Sequence, residues 1–212
     1  MFDIEYKGAN AVIFTTKKLK VVVDPGLDIA GHKDVAVKDS VVLLTEDRLR
    51  PKSNDSRLLF DGPGEYEVGD VSIVGVAARR NIDAEDQGKA STIYRLTIDD
   101  TKIAVLGNIA PKLDDDQLEA IGMVDIVVVP VGGGGLTLDS KDAAAIVRQI
   151  EPKAVVPVHF DDPALKYEVP QEKADLIVTE LSAGAVEAGP KFKLKNTSSI
   201  PDQLTVIMIS RS

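Results

Sequence analysis

Short apolar runs separated by turn signals make up the first part of the chain. Phe2–Tyr6, Ala11–Thr15 and Lys20–Asp24 are parted by Gly8-Ala9-Asn10 and by the basic pair Lys17-Lys18, a pattern that predicts a β-meander. Val41–Thr45 is apolar at nearly every position, as in a strand buried on both faces. Leu58–Phe60 runs into the turn Asp61-Gly62-Pro63-Gly64, after which Glu65–Val68 and Val71–Val76 flank Gly69-Asp70 as a hairpin. The stretch from Arg79 to Ala90 is polar and reads as a loop. Thr92–Ile98 and Lys102–Gly107 then form a second hairpin across Asp99-Asp100-Thr101.

The texture changes after that point. Asp114–Ile121 reads as a short helix with acidic residues at its start, where they favour the helix dipole. Asp125–Val131 is a buried strand, followed by the glycine run Gly132–Gly135. Asp139 or Ser140 caps a helix that reaches Ile150 and is ended by Glu151-Pro152. Ala154–His159 is another buried strand, Gln171–Leu181 a last helix, and Lys191–Leu194 and Leu204–Ser210 two last strands. Strands come first and a β-α-β-α-β order follows, which predicts an α/β pair of sheets with helices outside. No repeat and no long linker interrupts residues 1–212, so the expectation is a single domain.

Composition adds several exclusions. Aromatics are 4% and Trp is absent, so the core has to be built from aliphatic side chains. No apolar run approaches the roughly 18 residues of a membrane span, and Met1-Phe2-Asp3-Ile4-Glu5 lacks the basic start and apolar middle of a signal peptide. The expectation is a cytoplasmic protein with no membrane partner. The absence of cysteine excludes disulfides, thiolate nucleophiles and Cys-ligated zinc. A net charge of −9 argues against nucleic acid as a partner. There are only two histidines, His32 and His159, which matters because imidazole is the usual ligand of a hydrolytic zinc centre.

Several motifs in order and at matching spacing resemble one family. They are Val22-Val23-Asp24-Pro25, Asp61-Gly62-Pro63-Gly64-Glu65-Tyr66-Glu67, Ser91-Thr92-Ile93-Tyr94, Ile126–Gly134, Glu151-Pro152-Lys153 and Pro157-Val158-His159-Phe160. The chain resembles the small bacterial and archaeal zinc-dependent hydrolase-like proteins of the metallo-β-lactamase-fold superfamily, relatives of the ascorbate-6-phosphate lactonase group. The resemblance implies a four-layer αββα sandwich with a metal cleft at one edge between the sheets, and members that often form homo-oligomers. It also implies a His-x-His-x-Asp-His loop after a buried strand, presenting several ligands to adjacent metal ions.

The corresponding stretch here is Leu44-Thr45-Glu46-Asp47-Arg48-Leu49-Arg50-Pro51. Glu46 and Arg48 fall on the two leading His positions, Arg50 on the Asp and Pro51 on the last His. The next ligand position falls near Arg80, the bridging Asp on Asn108, and the final His on His159. Guanidinium groups stay protonated, and one about 5 Å from a dication repels it by roughly 6–7 kcal/mol at an effective dielectric near 20. The expectation is therefore a degenerate site that binds no metal, with arginines standing where cations stood and Arg48 or Arg80 giving a carboxylate such as Glu46 or Asp47 a forked partner. Three functions compete. One is a pseudo-hydrolase, a binding or assembly scaffold without turnover or cofactor. Another is a hydrolase of lactones or phosphate esters and diesters, with a rearranged mononuclear zinc site or a metal-free one, in which His159 is the catalytic base and Arg48 or Arg80 an oxyanion clamp. The third is a binding protein for an anionic small molecule held by Arg48 and Arg80.

Plainer readings stand beside these. Thr45–Pro51 also reads as a solvated charged loop, His159 as a satisfied cleft histidine, and His32 as a surface residue. Gly132–Gly135 lacks the Lys-Ser/Thr of a P-loop and reads as a tight turn. Asp114-Asp115-Asp116 reads as a helix start and not as a metal cluster.

Overall fold

The computed structural model describes residues 1–84 and 88–212. Two mixed sheets face each other. The first has six strands in the order β13 (Phe192–Leu194), β1 (Phe2–Gly8), β2 (Ala11–Thr15), β3 (Lys20–Val23), β4 (Val41–Leu43) and β5 (Leu58–Phe60). The second has eight: β12 (Gly184–Gly189), β14 (Thr205–Ile209), β11 (Ala154–Val158), β10 (Ile126–Pro130), β9 (Thr101–Val105), β8 (Ser91–Ile98), β7 (Val71–Ala78) and β6 (Gly64–Val68). Antiparallel hairpins build the early halves of both sheets. Parallel pairing joins β3 to β4 and β5, and joins β9 through β10, β11 and β14 to β12.

The period-2 rule explains how one strand serves two cores. In β10, Ile126 and Val128 enter the core between the sheets, where they meet Ile4, Phe14, Leu96 and Val156. Val127 and Val129 point the other way, against Ala143, Ile146, Val147 and Ile177 of the helical layer. That layer consists of α1 (Asp115–Ile121), α2 (Ser140–Ile150) and α3 (Asp175–Leu181). Helix α2 starts where Asp139 accepts the amide of Asp142 at 2.7 Å, and it ends at Glu151 in the left-handed conformation, just before Pro152. Val35 and Val37, from the segment that follows a 3-10 turn at Asp28–Ala30, cover Ile13, Val22, Val42 and Leu44 on the outer face of the first sheet. The result is the sandwich of two mixed sheets with helices that the motifs implied.

Two elements differ from the periodicity. Strand β12 has no clear apolar alternation, because it is a largely exposed edge held by its pairing with β14. Helix α3 begins at Asp175 and not at Gln171, because the chain at 171–172 is engaged elsewhere: Glu172 donates its amide to the Gly132 carbonyl at 2.8 Å and accepts that of Asp161 at its own carbonyl at 2.8 Å. The loop predicted for Arg79 to Ala90 lies partly outside the described residues. Among the described residues, no helix is long and apolar enough to cross a membrane.

Candidate functional site

Buried polar side chains gather where several strands end together. Strand β3 ends before Asp24, β4 before Thr45 and Glu46, β9 before Gly107 and Asn108, and β11 before His159, while the β1–β2 turn supplies Asn10. Asp24 and His159 both take left-handed backbone angles, φ 50° and 49°, which turn the chain sharply at the strand ends. Glycine permits two close approaches. A Cβ on Gly107, at φ +65°, would lie 2.6 Å from the Cβ and Oγ1 of Thr45. A Cβ on Gly132 would collide with the His159 carbonyl and the Gln171 side chain. The glycine run is thus packed against the site as a turn, with the Gly133 amide already donated to the Leu138 carbonyl at 2.9 Å.

The polar side chains form one connected series. Arg48 Nε donates to Glu46 Oε1 at 2.8 Å, and Asn108 Nδ2 donates to the same oxygen at 2.6 Å. Asn10 Nδ2 donates to Asn108 Oδ1 at 3.0 Å. His159 Nδ1 meets Asn10 Oδ1 at 2.5 Å. The hydrogen positions follow from the end of the series. A carboxylate oxygen only accepts, so Asn108 turns its amide nitrogen to Glu46 and its oxygen to Asn10. Asn10 then has only its oxygen left for His159, and Nδ1 must carry the imidazole proton. Nε2 is the unprotonated nitrogen.

Glu46, Asn10, Asn108 and His159 are each at most 3% exposed. Among the described residues, the buried atoms Glu46 Oε2 and His159 Nε2 have no hydrogen-bond partner. Burial, and then the positive charge of Arg48, bring the His159 imidazole down to about 3, so it is neutral at ordinary pH. Asp24 lies behind the series and accepts from the Thr45 amide at 2.8 Å and the Thr45 hydroxyl at 2.7 Å. Burial raises its carboxyl to about 8, with Glu46 adding to the rise and the Thr45 and Asn10 hydrogen bonds opposing it.

The residues singled out in the sequence separate into groups. Glu46, Arg48, Asn108 and His159 come together. Arg50 does not join them; it is exposed and ion-paired at 2.7 Å to both Asp47 and Asp61. Pro51 follows it and is buried. Arg80 makes the forked ion pair, but with Asp83, at 2.9 and 2.7 Å. Arg48 reaches Glu46 through Nε alone, and Asp47 is met by neither Arg48 nor Arg80 but by Arg50, whose Nε and one terminal nitrogen donate to the same Oδ1 at 2.9 and 2.7 Å. The backbone of Arg80 bridges to Ile109, next to Asn108. His32 is exposed on a separate surface depression shared with Asp28, Asp34 and Lys52. Asp114 caps α1, accepting the Gln117 amide at 2.8 Å while Gln117 Oε1 accepts the Asp114 amide at 3.0 Å. Asn10 is the member that sequence reasoning misses. Gly8-Ala9-Asn10 has the composition of any tight turn, and only the tertiary fold brings it beside Asn108.

A cavity of about 230 Å³ opens beside the series. Arg48, His159 and Glu168 are its charged or polar lining, and Ile29, Ala30 and Leu136 its aliphatic walls. Tyr167 also lines it and stacks on the His159 ring, with centroids 4.9 Å apart and planes 25° apart. Among the described residues, no group of three or more His, Asp and Glu side chains is arranged to hold a metal ion.

Comparison with known proteins places this geometry in context. The Beta-lactamase superfamily domain family matches residues 3–159. A UPF0173 metal-dependent hydrolase of Pyrococcus horikoshii is 27% identical over 172 residues, covering 78% of this chain and 72% of the relative. Another UPF0173 metal-dependent hydrolase, from Natranaerobius thermophilus, is 23% identical over 205 residues, covering 82% and 90%. Among solved structures, a metallo-beta-lactamase superfamily chain of Thermotoga maritima superposes with a TM-score of 0.75 at 19% identity, over 99% of this chain and 100% of that one.

Proposed function

The chain belongs to the β-lactamase superfamily, and on that footing we propose that it is a non-hydrolytic member, a binding or assembly scaffold in which hydrogen-bonded side chains take the place of the metal centre. The observation that carries this reading is the double use of Glu46 Oε1 by Arg48 Nε, at 2.8 Å, and by Asn108 Nδ2, at 2.6 Å. The guanidinium and the carboxylate offset each other's charge, so a dication entering here finds no net negative charge to hold it. The donor set does not fit zinc either. A catalytic zinc takes about three protein ligands, whereas Glu46 Oε2 and His159 Nε2 are the two atoms of the series left without a partner. Elemental analysis of protein purified without chelator tests the reading. Less than a tenth of an equivalent of metal (about that threshold) is the expected result, with no turnover of lactones, phosphodiesters or phosphate monoesters. One or two tightly held metal ions per chain would overturn it.

The relatives' description as metal-dependent hydrolases keeps a second reading in play, and one observation favours its metal-free form: His159, whose Nε2 has no hydrogen-bond partner among the described residues, lines a cavity that Arg48 also lines. In that form His159 is the base and Arg48 an oxyanion clamp. Against it, a general base works best with a proton affinity near the working pH, and the His159 imidazole sits at about 3. An esterase or lactonase activity that disappears in His159→Ala with the fold intact would decide for this second reading.

A further inference from the structure

We infer that the cavity beside His159 is a binding site for a small aliphatic monoanion that carries a hydroxyl or N–H donor as well as its carboxylate. The inference rests on the non-metal reading of the site. Its starting point is His159 Nε2, an unprotonated nitrogen in a side chain that is 3% exposed, without a partner among the described residues, in a residue lining a cavity of about 230 Å³. An unpaired buried acceptor is costly, and a ligand donor that displaces the lining covering it removes that cost. The acceptor cannot satisfy itself by changing tautomer. Nδ1 is committed to Asn10 Oδ1, and the direction of that bond is dictated through Asn108 by the Glu46 carboxylate.

The other end of the ligand is set by charge. Arg48 lines the same cavity, and among the described residues its guanidinium donates to protein through Nε only. The terminal nitrogens are the free part of a fork suited to a carboxylate. Arg48 and His159 line the same small cavity, so donor and carboxylate belong on one small ligand. Glu168 on the lining disfavours a second negative charge. Ile29, Ala30 and Leu136 offer an apolar wall for a short branched chain.

The experiment uses the intact protein labelled with [15N]histidine. Its two imidazoles, His32 and His159, give two sets of ring resonances, and only His159 is buried. Protein treated with EDTA and assayed for metal is titrated with 2-hydroxy-3-methylbutanoate and, separately, with 3-methylbutanoate. The expected result is an Nδ1–H tautomer for His159, and an Nε2 resonance that moves toward the hydrogen-bonded position with the hydroxy acid alone. The hydroxy acid is expected to bind about tenfold or more tightly than its deoxy analogue, since a site built to pair a hydroxyl rejects a ligand without one. Arg48→Gln should weaken both acids and leave their ratio unchanged. Equal binding of the two acids, no binding of either, or an unmoved Nε2 resonance in metal-free protein overturns the inference and leaves the non-metal reading standing. Stoichiometric zinc, with binding lost when it is stripped, overturns both, and the metal assay tells the two failures apart.

Discussion

Asn10 and Asn108 are joined head to tail, 98 residues apart in sequence and 3.0 Å apart across the site, with Nδ2 of the first on Oδ1 of the second. This bond passes the polarity of the Glu46 carboxylate on to His159. Both amides are spent, one group as donor and the other as acceptor, and neither has a free choice of orientation. A carboxylate at 108 would break the pattern at its centre.

Asn108→Asp therefore makes the first prediction. The new carboxylate oxygen would stand where Asn108 Nδ2 now lies 2.6 Å from Glu46 Oε1. A hydrogen bond becomes a like-charge contact at two positions that are 1% and 3% exposed. The expected loss is roughly 2–4 kcal/mol at neutral pH. One of the two carboxyls would have its folded proton affinity raised, so the loss should shrink as pH falls and grow as it rises. Urea midpoints at pH 5 and pH 8 check the sign; equal losses at both would mean that the two carboxylates do not face each other.

The pH dependence of the parent protein follows from Asp24 and His159 together. Asp24 is raised from 3.8 to about 8, so between those values the folded state holds a proton that the unfolded state has lost, and stability falls as pH rises. His159 is lowered from 6.5 to about 3, so the unfolded state takes its proton first and stability falls as pH drops through that window. Between 3.8 and 6.5 the two effects oppose each other, and their joint contribution is flat. Asp24→Asn should abolish the alkaline decline and expose a slope of up to about 1.4 kcal/mol per pH unit in the former plateau, stability rising with pH. His159→Asn should do the reverse; asparagine tolerates the left-handed backbone at both positions. Difference curves of unfolding free energy against pH, variant minus parent, isolate these two groups from the surface carboxylates.

How much of this was legible beforehand depends on what each residue touches. β10 and β11 are buried at every position, and continuous runs such as Ile126–Pro130 announce that directly. β12 is mostly exposed, so its side chains carry no pattern and its place is set by backbone pairing to β14. In the site, Glu46, Arg48, Asn108 and His159 could be singled out because the family resemblance carries its ligand positions onto them, a signal that periodicity alone does not hold. Arg50 and Arg80 fall at positions of the same kind, yet each is drawn to a carboxylate close in sequence, Asp47 and Asp83. Local ion pairs of this sort compete with the cleft and leave no mark on periodicity. Asn10 was illegible for the opposite reason, since its partners lie 98 and 149 residues away.

Two glycines with the same backbone angle separate strain from crowding. Gly107 and Gly69 have φ +65° and +64°, but a Cβ on Gly107 meets Thr45 at 2.6 Å, whereas one on Gly69 meets nothing within 4 Å. Gly69→Ala should cost about 1 kcal/mol, the conformational part alone. Gly107→Ala adds overpacking and should cost roughly 2–5 kcal/mol. Because Thr45 is displaced, its bonds to Asp24 loosen as well. Denaturant unfolding of the two variants side by side gives the difference, and equal losses would mean that Thr45 yields freely.

The ion pair between Glu46 and Arg48 supplies the last prediction. Its two ends differ in environment: the Glu46 side chain is 1% exposed and that of Arg48 29%. Removing the guanidinium strands a buried carboxylate with Asn108 as its remaining partner, whereas removing the carboxylate leaves a cation that can turn to solvent. Arg48→Met should therefore be the more damaging single change, by about 1–3 kcal/mol after allowance for the exposure of Arg48. Glu46→Gln keeps an oxygen for Asn108 and should cost about 1 kcal/mol. The double variant no longer buries an unpaired charge, and its loss should fall short of the sum by about 1–2 kcal/mol. A double-mutant cycle measured at neutral pH and moderate salt gives this coupling directly. Additive losses within about 0.5 kcal/mol would show that Asn108, and not Arg48, is what makes the buried Glu46 carboxylate tolerable, and the electrostatic case against a metal ion at this site would then lose its main support.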